Sequence, residues 1–176
     1  MIEPIDKMRS ANHKAALPKE QIRLLQPAIS VVIPCHNHGD YLDEAVQSVE
    51  QQTFRRFEIV IIDDGSNDEE TLRKLNNYDR PNIRLIHTPH LGLPNARNAA
   101  IRAARGKYIL PLDADDKIDK TYLQKAIHIL DANENVGIVY SKADLFGEGS
   151  GEWKLPPYHF PEILFGNAAH SLMTWT

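Results

Sequence analysis

Residues 108–119 read YILPLDADDKID, an almost unbroken apolar run that gives way to three aspartates within four positions. Tyr108 to Leu112 has the length and continuity of a strand buried on both faces, as in the interior of a parallel sheet. The carboxylates that follow repel one another, so this turn either faces water or holds something positive. Side chains alternate along a strand, so Asp113 and Asp115 share a side if the chain stays extended, with Asp116 adjacent. Two carboxylates so placed suit a hard divalent cation, Mg2+ or Mn2+, which fills its other positions with water and phosphate oxygens.

The same unit recurs upstream. Ile29–Ile33, closed by Pro34, and Phe57–Ile62, ending in Asp63-Asp64-Gly65-Ser66, are β-branched runs of the same kind. Ile83–His87 and Val136–Tyr140 are further strands. Between them the spacing predicts helices over Tyr41–Gln52 behind Asp40, and over Asp68–Tyr78 behind Ser66 or Asn67. Two more follow, over Ala96–Ala104 as far as Gly106, and over Tyr122–Leu130 behind Asp119. Strands alternating with helices predict an α/β fold with a mainly parallel sheet flanked by helices. After Tyr140 the texture changes: GEGSGEWKLPPYHF reads as a turn between short strands or as a loop. Phe160–Gly166 reads as a short helix and Ala169–Trp175 as a last strand. Residues 1–28 form a polar N-terminal extension, weakly helical in pattern at Lys19–Leu25, and residues 29–176 the folded domain.

Composition narrows the function. The 176 residues are 42% hydrophobic and 25% charged, ordinary for one globular domain, and the net charge of −4 exerts no pull on nucleic acid. A single cysteine, Cys35, permits neither an intramolecular disulfide nor a cysteine-based zinc site. No run approaches the ~18 apolar residues of a membrane helix, and the first residues lack the apolar core of a secretory signal. The expectation is a cytoplasmic protein without a transmembrane segment, peripheral at the inner membrane face if a partner holds it there.

In open α/β sheets, ligands bind beyond the carboxyl ends of the strands. There the sequence places His36-Asn37-His38, Asp63-Asp64-Gly65-Ser66 and Asp113-Ala114-Asp115-Asp116. Each acidic cluster alone is also ordinary turn and cap chemistry. Two on one edge point to a metal and nucleotide site. His36, His38, His87 and His90 match no zinc spacing and read as solvated or hydrogen-bonded. Cys35 reads as a small buried residue rather than a nucleophile. Arg97 either faces solvent or reaches phosphates from a helix that follows Gly92-Leu93-Pro94-Asn95. The absence of GxxxxGK[ST] and GxGxxG argues against P-loop and dinucleotide-binding readings.

The ordered set SVVIPCHN, EIVIIDDGSND and GLPNARNAAIRAARGKYILPLDADD resembles the nucleotide-sugar domain of family 2 glycosyltransferases, inverting enzymes with a Rossmann-like GT-A fold. The likeness runs from about Ser30 to Tyr140 and more weakly beyond. It implies that Pro34, His36 and Asn37 line the nucleotide, that Asp64 hydrogen-bonds a base, commonly uracil, and that Arg97 lies near the diphosphate. It also implies a DxD motif in which Asp113 lies near the ribose or sugar and Asp115 holds the metal, Mn2+ or Mg2+, with Asp116 beside it. The partners implied are a nucleotide-diphosphate sugar and an acceptor glycan or other hydroxyl, as in polysaccharide biosynthesis.

Such transfer needs a general base opposite the departing diphosphate. The family carries it in a Glu-Asp type motif, and no Glu-Asp dipeptide follows Asp116. Asp144, Glu148, Glu152 and Glu162 stand in other contexts, so the base and the acceptor part are expected beyond Thr176. Two rivals remain: a non-catalytic nucleotide-sugar-binding or interaction module on the same fold, and a sugar nucleotidyltransferase. The latter needs a basic, glycine-rich loop after the first strand, whereas PCHNHGDYL offers only Gly39 and no Lys or Arg.

Overall fold

The structure, a computed structural model, describes residues 26–78 and 80–154 and the backbone of 170–175. Strands β1 (Ile29–Cys35), β2 (Phe57–Asp64), β3 (Ile83–Thr88) and β4 (Tyr108–Pro111) alternate with helices α1 (Gly39–Glu50), α2 (Glu69–Leu75) and α3 (Leu93–Ala103). Helix α4 (Tyr122–Ala132) leads to β5 (Ile138–Ser141), a hairpin of β6 (Ala143–Leu145) and β7 (Gly151–Trp153), and β8 (His170–Trp175).

The main sheet has the order β3-β2-β1-β4-β8-β5. Its first four strands are mutually parallel, and β8 runs antiparallel to both β4 and β5. The predicted mainly parallel sheet is present. Of the segment read as a turn between short strands or as a loop, residues 147–150 connect β6 to β7 and Gly151–Trp153 form β7, while 155–160 lie outside the described residues; the predicted last strand is β8, inserted between β4 and β5. The helical readings at Lys19–Leu25 and Phe160–Gly166 lie outside the described residues.

Burial explains the layers. All seven residues of β1 and all but the first of β2 are buried, which requires cover on both faces. On one face Val31, Ile33, Ile59, Ile61 and Leu110 join Leu42 and Val46 of α1 and Leu123 and Leu130 of α4. On the other, Val32, Val60, Ile62 and Ile109 meet Ala96 and Ala100 of α3. These two alanines, one turn apart, let α3 lie close against the sheet. That is the physical content of the Ala-rich run.

Helix starts differ from the sequence expectation for local reasons. Helix α1 begins at Gly39 with His38 at the cap position, and Asp40 sits in the first turn, where its charge favours the helix dipole. Helix α2 is capped by Asp68, which accepts from the Thr71 amide at 2.8 Å, not by Ser66 or Asn67. Helix α3 starts at Leu93, earlier than Ala96, because Pro94 fits a first turn. Helix α4 follows Thr121 rather than Asp119. Its Leu123 amide is satisfied by the buried Gln52 side chain, which also donates to the carbonyls of Ser48 and Asp119.

The amino end of the sheet is locked by buried polar groups. Ser30 Oγ donates to Glu58 Oε1 at 2.7 Å, and these two atoms accept the amides of Arg105 and Gly106 where α3 turns into β4. A Cβ at Gly106 would lie 2.5 Å from the Ser30 nitrogen and 2.6 Å from the Ile29 carbonyl carbon. The Gly106→Ala substitution therefore pushes β4 off β1 and is expected to cost about 1–3 kcal/mol, read as a lower denaturant midpoint at unchanged slope.

Candidate active site

The crevice arises where β4 leaves β1. Their pairing ends at Val32 and Pro111, with a final bond from the Leu112 amide to the Val32 carbonyl. Pro34 follows on the same edge of β1, where β4 has already departed, so its missing N–H leaves no partner unpaired. Consecutive strand connections diverge here, β2 lying to one side of β1 and β4 to the other, which is the switch point at which such sheets bind ligands. A cleft of about 390 Å³ opens there, bordered by Pro34, Cys35, His36, His38, Asp64, His90, Leu93, Ala96, Asp113, Ala114 and Asp115.

One wall is built on Asp64, whose side chain is almost wholly buried. Its Oδ1 accepts from the Leu91 amide at 2.9 Å and its Oδ2 from the Gly92 amide at 2.8 Å, while the Thr88 hydroxyl donates to Oδ1 at 3.2 Å. Burial alone would raise this carboxyl; the amide and hydroxyl donors outweigh it and hold the pKa below the ordinary value. The Asp64 carbonyl accepts from Nδ1 of His36 at 2.9 Å and Nδ1 of His90 at 3.0 Å, and the two imidazoles stack with centroids 4.1 Å apart. Gly65 makes this possible: its φ is 71°, and a Cβ there would lie 2.7 Å from the His90 nitrogen.

Asp63, on the opposite face of β2, accepts from the Ser66 amide and from His87 Nδ1, each at 2.9 Å. Burial opposes its ionisation, but these bonds prevail and its pKa is also lowered. Asn37, with φ of 56°, does not border the cleft; its Oδ1 accepts the amides of Asn67 and Asp68, and its own amide donates to Ser66. It clasps the β1–α1 loop to the β2–α2 loop. The thiol of Cys35 is pushed up chiefly by burial, which disfavours a thiolate at neutral pH and agrees with its reading as a packed residue.

The other wall is the acidic turn. The chain does not stay extended past β4: the Asp116 amide donates to the Asp113 carbonyl at 3.1 Å, burying Ala114 and exposing Asp115. Strand pairing has ended at Pro111, so nothing maintains the extension assumed from alternation. Asp113 and Asp115 still both border the cleft, whereas Asp116 does not. Arg97, from the first turns of α3, pairs through its guanidinium with Asp113 Oδ1, and its buried Nε has no hydrogen-bond partner. Among the described residues no three His, Cys, Asp or Glu side chains converge as a self-sufficient ion site. Asp144, Glu148 and Glu152 do not border the cleft, and Glu162 lies outside the described residues.

The sequence reading thus brought Pro34, His36, Asp64, Asp113 and Asp115 to one place, with Arg97 paired to Asp113. It read His90 as solvated or hydrogen-bonded, and His90 does bond the Asp64 carbonyl, but it did not place His90 at the cleft and did not find the amides of Leu91 and Gly92. The available signal was the register of β3 on β2, which sets Asp63 opposite His87 and Asp64 opposite Thr88 and delivers HTPHLG to the same edge.

A family model described as "Glycosyl transferase family 2" matches residues 30–173. The chain belongs to glycosyl transferase family 2. It is similar to the glycosyltransferase YibD of Escherichia coli K12, with 33% identity over 131 residues, covering 73% of this chain and 38% of that protein. The structure of S. aureus TarS 1-349 in complex with UDP superposes with a TM-score of 0.67 and 26% identity, over 84% of this chain and 46% of that one. The mannosyltransferase PcManGT from Pyrobaculum calidifontis, in complex with GDP-Man and Mn2+, gives a TM-score of 0.57 at 25% identity, over 65% of this chain and 35% of that one. These likenesses and the sheet order make the fold GT-A. The chain spans 15% to 50% of the length of the first curated relatives it matches.

The lowered pKa values of Asp63 and Asp64 fix a pH dependence. A carboxyl depressed on folding contributes stability that is present above its unfolded pKa, near 3.8, and lost as pH falls through the folded value. Stability is therefore expected to drop below about pH 4. Urea midpoints measured from pH 6 to pH 3 should fall less steeply in Asp64→Asn, which starts lower at pH 6 because two backbone amides lose their carboxylate.

Proposed function

We propose that this cleft binds a nucleoside-diphosphate sugar, most simply a UDP-sugar, for metal-dependent, inverting transfer to an acceptor hydroxyl. The observation that carries the reading is the Arg97–Asp113 pair with the unpartnered, buried Arg97 Nε, set beside exposed Asp115 at the switch point of the sheet. An arginine with a spare donor next to carboxylates suits a diphosphate that arrives with its own cation.

The donor set fits Mn2+ or Mg2+. Such ions take one or two carboxylates and complete their shell with water and phosphate oxygens, and Asp113 and Asp115 both border the cleft. Asp115 and Asp113 would hold the ion. When bound, the ion supplies Lewis-acid stabilisation of the charge that develops on the departing diphosphate.

The chain's own residues supply the rest. Arg97 donates to the diphosphate and keeps Asp113 oriented, so charge at the leaving group meets fixed donors. Asp64, ionised at neutral pH, retains acceptor capacity beyond its three bonds and can take an imide N–H from a base. Uracil, thymine and guanine present such an N–H, and adenine presents a lone pair there instead. TarS and PcManGT, the similar structures, hold UDP and GDP-Man, both of that kind. His36 and Pro34 offer flat surfaces beside this carboxylate, and Asn37 fixes the loop that carries His36.

Calorimetric titration with UDP, GDP, TDP and ADP, with and without Mn2+, tests the proposal. UDP is expected to bind more tightly with Mn2+, ADP to bind weakest, and Asp115→Ala to remove the Mn2+ increment, at least about tenfold. No Mn2+ increment for any of the four would sink the reading.

A further inference from the structure

A second, larger cleft of about 1020 Å³ lies at the opposite, amino end of the sheet. It is bordered by segments that are distant in sequence: the start of β1, the α1–β2 loop, the α3–β4 turn and one side of α4. The family reading leaves it without a role. Its charge is anomalous for this chain. Arg56, Arg105, Lys107 and Lys125 border it against one carboxylate, Asp131, in a protein whose acids outnumber its Lys and Arg, 24 to 20.

That carboxylate is engaged: the Tyr108 hydroxyl donates to Asp131, and Lys107 Nζ lies 3.0 Å from its Oδ1. The backbone of Arg105 is fixed, its amide donating to Glu58 Oε1 at 2.7 Å and Ser30 Oγ at 3.2 Å, and its exposed side chain borders the cleft. Lys125 stands on α4, His128 follows one turn later on the same side, and both border the cleft. Beneath the cations lie the partly buried Phe54 and Ile127.

We propose that this cleft is a separate binding site for phosphate groups carried on a ligand with an apolar portion. Cations converging from three segments over an apolar floor match an anionic head on an apolar body. The inference does not depend on the donor-site reading.

Two probes distinguish the source of the phosphate, both applied to the full chain with divalent ions chelated. One is inorganic pyrophosphate, titrated by calorimetry. The other is sedimentation with phosphatidylcholine vesicles that contain or lack phosphatidylglycerol. Pyrophosphate binding points to a soluble ligand, and binding to phosphatidylglycerol vesicles alone to a lipid headgroup. In either case the double substitution Arg105→Gln, Lys125→Gln should weaken binding at least about tenfold. The double substitution Arg105→Lys, Lys125→Arg should keep most of it, and the urea unfolding midpoint should stay unchanged in both as a check on folding. Failure of both probes, or equal binding by the charge-removed variant, overturns the proposal.

Discussion

Asp64 is the constraint on which the cleft depends. It is a buried carboxylate at the end of a central strand, a placement that costs free energy unless donors surround it. The donors come from the segment leaving β3: the Thr88 hydroxyl and the amides of Leu91 and Gly92. In satisfying Asp64, this segment is pinned, and the pin sets where α3 begins. Helix α3 then carries Arg97 to the far wall, where its guanidinium meets Asp113. The two walls are thus linked through one chain of contacts that starts at a carboxylate in β2. The carbonyl of the same residue holds both stacked imidazoles, so backbone and side chain of Asp64 organise the same wall.

How much of this was legible in the sequence follows from the range of the interactions. Buried parallel strands announce themselves by continuous apolar runs, and β1, β2 and β4 stand where those runs are, while β3, at the sheet edge and mostly half-buried, is marked by a shorter and broken one. Side chains that emerge at the strand ends follow from topology, which is why Asp64, Asp113 and Asp115 were placed on one edge. What was illegible is carried by backbone groups or by distant pairing. The Leu91 and Gly92 amides carry no mark in residue type. Insertion of β8 between β4 and β5 joins segments about sixty-five residues apart on one side and about thirty on the other, and local pattern says nothing about sheet order. Asp113 and Asp115 were expected on one side by alternation, yet the turn to Asp116 begins as soon as pairing with β1 ends.

Both ends of the sheet use polar groups, to opposite effect. At the amino end, Ser30, Glu58 and the amides of Arg105 and Gly106 satisfy one another, and Arg84 approaches Glu58 at 3.6 Å. Buried networks of this kind specify one arrangement when complete. The carboxyl end is left incomplete: Arg97 Nε is buried without a partner there. An unsatisfied buried donor on a charged side chain is costly where nothing occupies it, so the cost at Arg97 falls where an anionic group would remove it.

That asymmetry bears on how the proposed donor would bind. With Arg97 paired to Asp113, the acidic wall keeps only the charge of Asp115 in excess, too little to gather a divalent ion strongly from water. A diphosphate brings further oxygens and charge, and its approach also gives Arg97 a second acceptor. On this proposal ion and nucleotide would each supply the other's missing ligands, and either alone would bind weakly. The turn of repelling aspartates would, on the same proposal, become a site complete only when ion and nucleotide are both present, with its acids spread over a turn and an ion pair.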